Sequence, residues 1–313
     1  MQHSCNIVSI GECMVELVPE HGIGDTRVFR QCFAGDTLNT AWYLRALMPA
    51  SCSVRYFTAV GDDAISSRML AFMADNGIDT GAIARISDRT VGLYMIAVSA
   101  GERTFTYWRS QSAARALADD PNRLERALAG CRLAYLSGIT LAILSDEARE
   151  TLLGVLARFR ADGGLVAFDP NIRLALWQDE VAMRGWIARG YATCDIAFPT
   201  FEDDAALFKD ATPEDCARRI SALGAFEVVV KNGAAPVLLD ADGRQARIPP
   251  PRIVEPVDTT AAGDSFNAGW LAARLGGACA TNAVNEGHSL AARVIRHKGA
   301  LLPMDQVRHP SSA

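Results

Sequence analysis

The feature that most constrains this chain is a recurring pair. A short apolar run stops at glycine, proline or a polar residue, and a longer amphipathic stretch follows. NIVSIG, LAYLSG, LVAFDP, DIAFPT and EVVVKNG are the apolar runs; SDEARETLLGVLARFRADG, EVAMRGWIARGY and TPEDCARRISALG lie between them. Runs this short, bounded by turn formers, are strands buried on both faces rather than helices. Strands alternating with helices predict a mainly parallel sheet covered by helices on both sides. In such sheets ligands bind beyond the C-terminal ends of the strands, so polar residues just past those ends carry the most functional weight.

Other segments complete the pattern. TLNTAWYLRALM and ISSRMLAFMADNG predict helices, the second stopping at Asn76-Gly77, and SVRYFTAVG predicts one strand between them. Thr212-Pro213-Glu214 predicts a helix start, with Thr212 as the cap. VGLYMIAVSAGERTFTYWR predicts two strands joined by a turn at Ala100-Gly101, and the tail RHPSSA is expected to fray. Two segments do not fit the alternating core: roughly 12–33 and roughly 90–109. Val28 to Ala34 is irregular, but both segments are extended, with polar residues on one face. The expectation is one large α/β domain spanning 1–313, with these segments forming a small β-sheet lid over the mouth of the main sheet.

Charge and cysteines narrow the partners. A net charge of -5 argues against broad nucleic-acid or acidic-membrane binding. No apolar run approaches the roughly 18 residues of a membrane span. The start, MQHSCNIVSIGECMVEL, lacks the basic and long apolar stretches of a secretory signal. The 8 cysteines form no CxxC and do not cluster with histidines, which predicts buried free thiols in a reducing cytoplasm.

The stretch DTTAAGDSFNAG carries the chemistry. Small residues Ala261, Ala262 and Gly263 let the backbone approach a ligand closely, and a helix opens there. Its unpaired amides and dipole form a site for phosphate or another oxyanion. Asp264 stands at the mouth, either as a general base or as a cap. AGDTLN repeats the device, with Asp36 and Asn39 suited to sugar hydroxyls, although Asp36 or Thr37 could equally cap the helix. In TFTYWR, aromatic faces beside Arg109 suit an anionic sugar; an exposed edge strand is the alternative. FDPNIR places Arg173 beyond a strand end. GxxxxGK[ST], GxGxxG, HExxH and GxSxG are all missing, which removes a P-loop, a dinucleotide fingerprint, a zincin and a serine-hydrolase elbow.

DTTAAGDSFNAG and AGDTLNTA lie over 200 residues apart, and together they resemble the two signatures of the ribokinase-like sugar kinases, the PfkB family. IGECMVEL, GERTFTYWR, YLSGITLAILS, VVVKNGA and KGALLP resemble its acid-sugar branch. The resemblance implies a three-layer α/β/α fold and ATP-dependent phosphorylation of 2-keto-3-deoxy-D-gluconate at its terminal hydroxyl; a neutral-sugar kinase of the fructokinase or ribokinase type is the alternative. It implies Asp264 as base and Ala261 to Gly263 as the anion hole. Gly35, Asp36, Asn39, Tyr94, Tyr107, Arg109 and Arg173 are implied at the sugar. Asn171, Arg173, Lys231, Gly233 and Ala234 are implied at the nucleotide. Mg2+ is implied near Asp203, and a monovalent cation such as K+ near Asp258 and Thr260. Family lids often pair between subunits, which implies a homo-oligomer.

Two positions depart from the family pattern. Many relatives carry glycine where Ala261 stands, and Asn-x-x-Glu where this chain has Thr200-Phe201-Glu202-Asp203. A free aspartate titrates at about 3.9, so Asp264 is expected to be a weak base that orients the hydroxyl and takes its proton late.

Overall fold

The computed structural model describes residues 5–20, 28–99 and 102–308. The turn at Ala100-Gly101 and the tail beyond Arg308 lie outside these residues. Eight strands form the central sheet, in the spatial order Arg244–Ile248, Val237–Ala241, Glu227–Val230, Ile196–Ala197, Leu165–Asp169, Leu133–Ser137, Ile7–Ile10, Val54–Phe57. The last six of these pair in parallel. The first two form an antiparallel edge that the sequence pattern did not announce.

Alternation along each strand divides the core in two. Ile7, Leu133 and Tyr135 face one layer, where Trp270 and Leu271 of helix Ala262–Leu275 pack. Val8, Ile10, Ala134 and Leu136 face the other, against Leu152 and Leu156 of helix Asp146–Ala161. Each fully buried large apolar side chain contributes about 1.5–3 kcal/mol. Helix Asp146–Ala161 also shows complete end chemistry. Ser145 caps it by accepting from the Ala148 amide, two acids occupy its first turn, and Arg158 and Arg160 its last. Thr212 caps helix Pro213–Ala222 as expected.

A second sheet stands apart, ordered Phe29–Ala34, Met14–Pro19, Gly92–Ser99, Glu102–Trp108. Phe29–Ala34 looked irregular in isolation; its pairing with Met14–Pro19 supplies the order. SVRYFTAVG is not one strand. The chain leaves the main sheet after Phe57, and Ala59–Val60 pairs instead with Ala84–Arg85. The cysteines are free, but only Cys13, Cys52, Cys194 and Cys216 are buried; Cys279 is exposed. No helix among the described residues is long and apolar enough to cross a membrane.

Candidate active site

The parallel strands end at Ile10, Ser137, Asp169 and Val230, and the residues beyond those ends meet the start of helix Ala262–Leu275. That helix begins from a left-handed residue: Ala261 sits at φ 61, ψ 17, and no side chain caps the end. The Ala262 amide is held by the Thr259 carbonyl and the Ser265 amide by Ala261. The Gly263 and Asp264 amides have no intrahelical acceptor, which is the arrangement an oxyanion needs. Asp258 pins the preceding turn. Its Oδ1 accepts from the Thr260 amide at 3.1 Å and hydroxyl at 2.7 Å, and its Oδ2 from the Gly299 amide at 2.9 Å.

Asp264 is not a cap. Its Oδ2 accepts a 2.8 Å hydrogen bond from Asn39 Nδ2. Burial first, and then the nearby Asp36 carboxylate, push its pKa up to about 8 against the pull of Asn39 and Lys231. The weak base expected from the free amino acid is therefore corrected: three carboxylates, Asp36, Asp169 and Asp264, share one desolvated space, and the proton is held more tightly there.

The other helix, Asp36–Leu47, starts at Gly35 with no side-chain cap, so neither Asp36 nor Thr37 is its N-cap. Gly35 is required by proximity, since a Cβ there would lie 2.3 Å from the Glu12 carbonyl oxygen. Asp36 Oδ1 accepts from the Thr37 amide, and Oδ2 accepts from Asn171 Nδ2 at 2.8 Å. Asn171 was expected at the nucleotide, but its side chain reaches the Asp36 turn, from a backbone at φ 32.

On the opposite flank Lys231 Nζ lies 2.6 Å from Asp169 Oδ2. A Cβ built on Gly263 would come 3.4 Å from that ammonium, so Lys231 stands directly over the anion turn. Asn267 Nδ2 also donates to Asp169, at 2.6 Å, and lies 3.1 Å from the Tyr135 hydroxyl. Burial raises the Asp203 pKa, and the Arg173 guanidinium is the strongest opposing influence. Arg173 is exposed, donates to the Ile172 carbonyl, and so stands on the Asp203 side. Gly233 takes a left-handed φ of 56, and Gly233 and Ala234 are exposed beyond Lys231.

From the second sheet, the Tyr94 hydroxyl donates to Glu16 Oε1 at 2.6 Å, and the Tyr94 and Tyr107 rings lie 5.7 Å apart. Arg109 is ion-paired to Glu12, with its guanidinium 5.9 Å from the Tyr107 ring centroid. Glu12, Glu16, Asp169 and Asn267 are the site residues that sequence reading missed. Asp169 had a signal, being the polar residue that ends a buried strand. Elsewhere, Asp204, Asp210 and Cys216 come close enough to suggest a metal, but Arg219 occupies the cluster, donating to Asp204 and Asp210 at 2.9 and 2.7 Å.

Comparison with known proteins places the chain in a family. The 2-dehydro-3-deoxygluconokinase of Dickeya dadantii is 42% identical over 308 residues, covering 96% of this chain and 97% of the relative. The enzyme of the same name from Escherichia coli K12 is 41% identical over 310 residues, covering 96% and 98%. The crystal structure of a PfkB protein from Polaromonas sp. JS666 superposes with a TM-score of 0.83 at 28% identity, covering 94% and 96%. The family model for pfkB family carbohydrate kinases matches residues 5–307. With one glycine-and-aspartate turn at each end of the chain brought face to face, this protein belongs to the pfkB family of carbohydrate kinases.

Proposed function

We propose that the chain transfers the γ-phosphoryl group of ATP to the terminal hydroxyl of 2-dehydro-3-deoxygluconate, acting in the cytoplasm. The carrying observation is the juxtaposition of Asp264 with the left-handed Ala261 turn. It puts a carboxylate of raised proton affinity beside its own amide and that of Gly263, neither of which has an intrahelical acceptor. The hydroxyl oxygen forms a bond to the γ-phosphorus as the bond to the bridging oxygen of ADP breaks, and the hydroxyl proton passes to Asp264. The Gly263 and Asp264 amides and the Lys231 ammonium offset charge on the moving group. Mg2+ would neutralise the β- and γ-phosphates. Asp203, a half-buried acid facing Arg173, fits as the residue that holds it through water, with Thr200 in place of the family's asparagine. A monovalent cation would be held at the Asp258–Thr260 loop, where the Asp258 carboxylate accepts three hydrogen bonds and keeps acceptor capacity on Oδ2.

Tyr94, Tyr107, Arg109, Gly35, Asp36 and Asn39 would line the sugar, with Arg109 and Arg173 supplying positive charge for a carboxylate. The neutral-sugar reading has one observation in its favour: Glu12 already offsets Arg109. A coupled assay of ADP release separates the two. The expected result is an efficiency on 2-dehydro-3-deoxygluconate at least about a hundredfold above that on fructose or ribose, the range of one to two charge-assisted hydrogen bonds. Comparable efficiencies would replace this reading with the neutral-sugar one. We further propose a homo-oligomer formed through the edge strand Glu102–Trp108, where Phe105, Tyr107 and Trp108 are 47%, 50% and 54% exposed. Light scattering that gave a monomer at micromolar concentration would remove that part.

A further inference from the structure

Glu12 lies just beyond the strand Ile7–Ile10, where the core sheet passes into the second sheet. Its side chain is 1% exposed and its ion-pair partner Arg109 is 10% exposed. Two glycines are spent on making room for it. A Cβ on Gly35 would strike the Glu12 carbonyl oxygen at 2.3 Å. A Cβ on Gly92 would lie 2.8 Å from Glu12 Oε1 and 3.2 Å from Arg109 Cβ. The Asp36 turn, the second sheet and Arg109 therefore converge on one residue.

A buried carboxylate in such a place is costly to keep. Burial pushes the Glu12 carboxyl up from its ordinary range, and the Arg109 and Arg115 guanidinium groups pull against that shift. With two guanidinium groups against one carboxylate, the cluster keeps a net positive charge. Arg109 Nε and Glu12 Oε1 are both buried without a hydrogen-bond partner among the described residues; the pair meets through Nη2 and Oε2, which leaves Arg109 Nη1 unpaired. An arginine presents a rigid fork; a partner on one edge fixes the direction of the other.

We infer that Glu12 is a positioning residue for substrate choice: it fixes Arg109 beside the Gly35–Asp36 turn so that the free part of the guanidinium meets the carboxylate of an acid sugar. This rests on the acid-sugar reading above. In Glu12→Gln the shape and one acceptor remain, but the charge that orients Arg109 is gone. The expected result is a KM for 2-dehydro-3-deoxygluconate raised about tenfold, the scale of one charge-assisted hydrogen bond, with kcat and the KM for ATP within about twofold of wild type. Glu12→Asp, which restores the charge on a shorter arm, should recover part of the loss.

A purely structural role would move all three constants together, or lower the unfolding midpoint with no selective change in sugar KM; either result overturns the inference. An unchanged sugar KM in Glu12→Gln overturns it too. If Glu12→Gln does not fold, Glu12→Asp carries the test, with a selective rise in sugar KM expected and none refuting it. Wild type that fails to phosphorylate the acid sugar defeats the functional reading first. Wild type that succeeds while the variants lose nothing selectively defeats only the role of Glu12.

Discussion

Replacing Asp264 with asparagine should make a more stable protein that no longer turns over. In the folded chain the Asp264 pKa stands at about 8 rather than its ordinary 3.8, chiefly through burial and the Asp36 carboxylate. Its folded form thus binds a proton that the unfolded chain has released. Below about pH 4 both states are protonated and there is no penalty. Between about 4 and 8 the penalty of ionisation grows, and above 8 it is complete. At about 1.4 kcal/mol per unit the upper bound is roughly 6 kcal/mol. Solvent reaches the mouth of the site and reduces this, leaving a working expectation of about 1–2 kcal/mol. Asparagine carries no charge and can still accept from Asn39. Urea unfolding at pH 5 and pH 8 should show the variant's advantage over wild type widening with pH. Turnover should fall about 10²- to 10⁴-fold, the range for loss of a general base. Retention of more than a tenth of wild-type turnover would refute the base assignment, and an advantage that shrinks as pH rises would refute the account of the raised pKa.

Asp36→Asn removes a charge that holds the Asp264 proton, so the acidic limb of the kcat/KM profile should move about half a unit or more to lower pH, whatever the loss in absolute rate. A limb that stays in place would separate the two carboxylates. Ala261→Gly relieves an alanine at φ 61, a cost of about 1–2 kcal/mol, partly offset by about 0.4–1 from glycine's unfolded freedom. Denaturant midpoints should show a gain of about 1 kcal/mol or less with turnover kept, and a clear loss of stability would contradict the strain. Lys231→Met leaves Asp169, which is 3% exposed, without its cation. It should lower stability by about 3 kcal/mol and raise the KM for ATP, measured by unfolding and by ATP titration; a variant normal in both would displace Lys231 from the site.

The alternation of strands and helices was legible because each buried strand is apolar on both faces and punctuated at its end. What local pattern could not show was pairing. Phe29–Ala34 becomes a strand only because Met14–Pro19 lies beside it, and Val237–Ala241 with Arg244–Ile248 forms an antiparallel edge on a sheet that the alternation described as parallel. The site divides in the same way. Asp264, Asp36 and Asn39 sat in small-residue turns that open helices, a signal contained within a few residues. Glu12 and Asn267 lie inside quoted motifs, but nothing local singles them out, and their importance comes from partners 97 and 98 positions away, Arg109 and Asp169. The proton affinity of Asp264 escapes the sequence for the same reason, since it depends first on burial and then on two other carboxylates that the sequence keeps far apart.

The helix that carries Asn39 is tied to the far end of the chain. Trp42 Nε1 donates to the Leu302 carbonyl at 2.8 Å, the Tyr43 hydroxyl to the Ala300 carbonyl at 2.6 Å, and Asn39 to Asp264 across 225 positions. During synthesis, then, the first turn of the site waits for the second. At about 5–20 residues per second, the ribosome needs roughly ten to fifty seconds to make the intervening 225 residues. Throughout that interval the apolar face of helix Asp36–Leu47 has only the first strands to cover it, and closing so long a loop is slow. A nascent chain stalled before residue 300 would hold Asp36 and Asn39 in a half-built pocket. The meeting of residues 36–47 with residues 299–302 sets the moment at which the enzyme first becomes competent, and the stretch from 299 to 302 acts as the clasp that closes it.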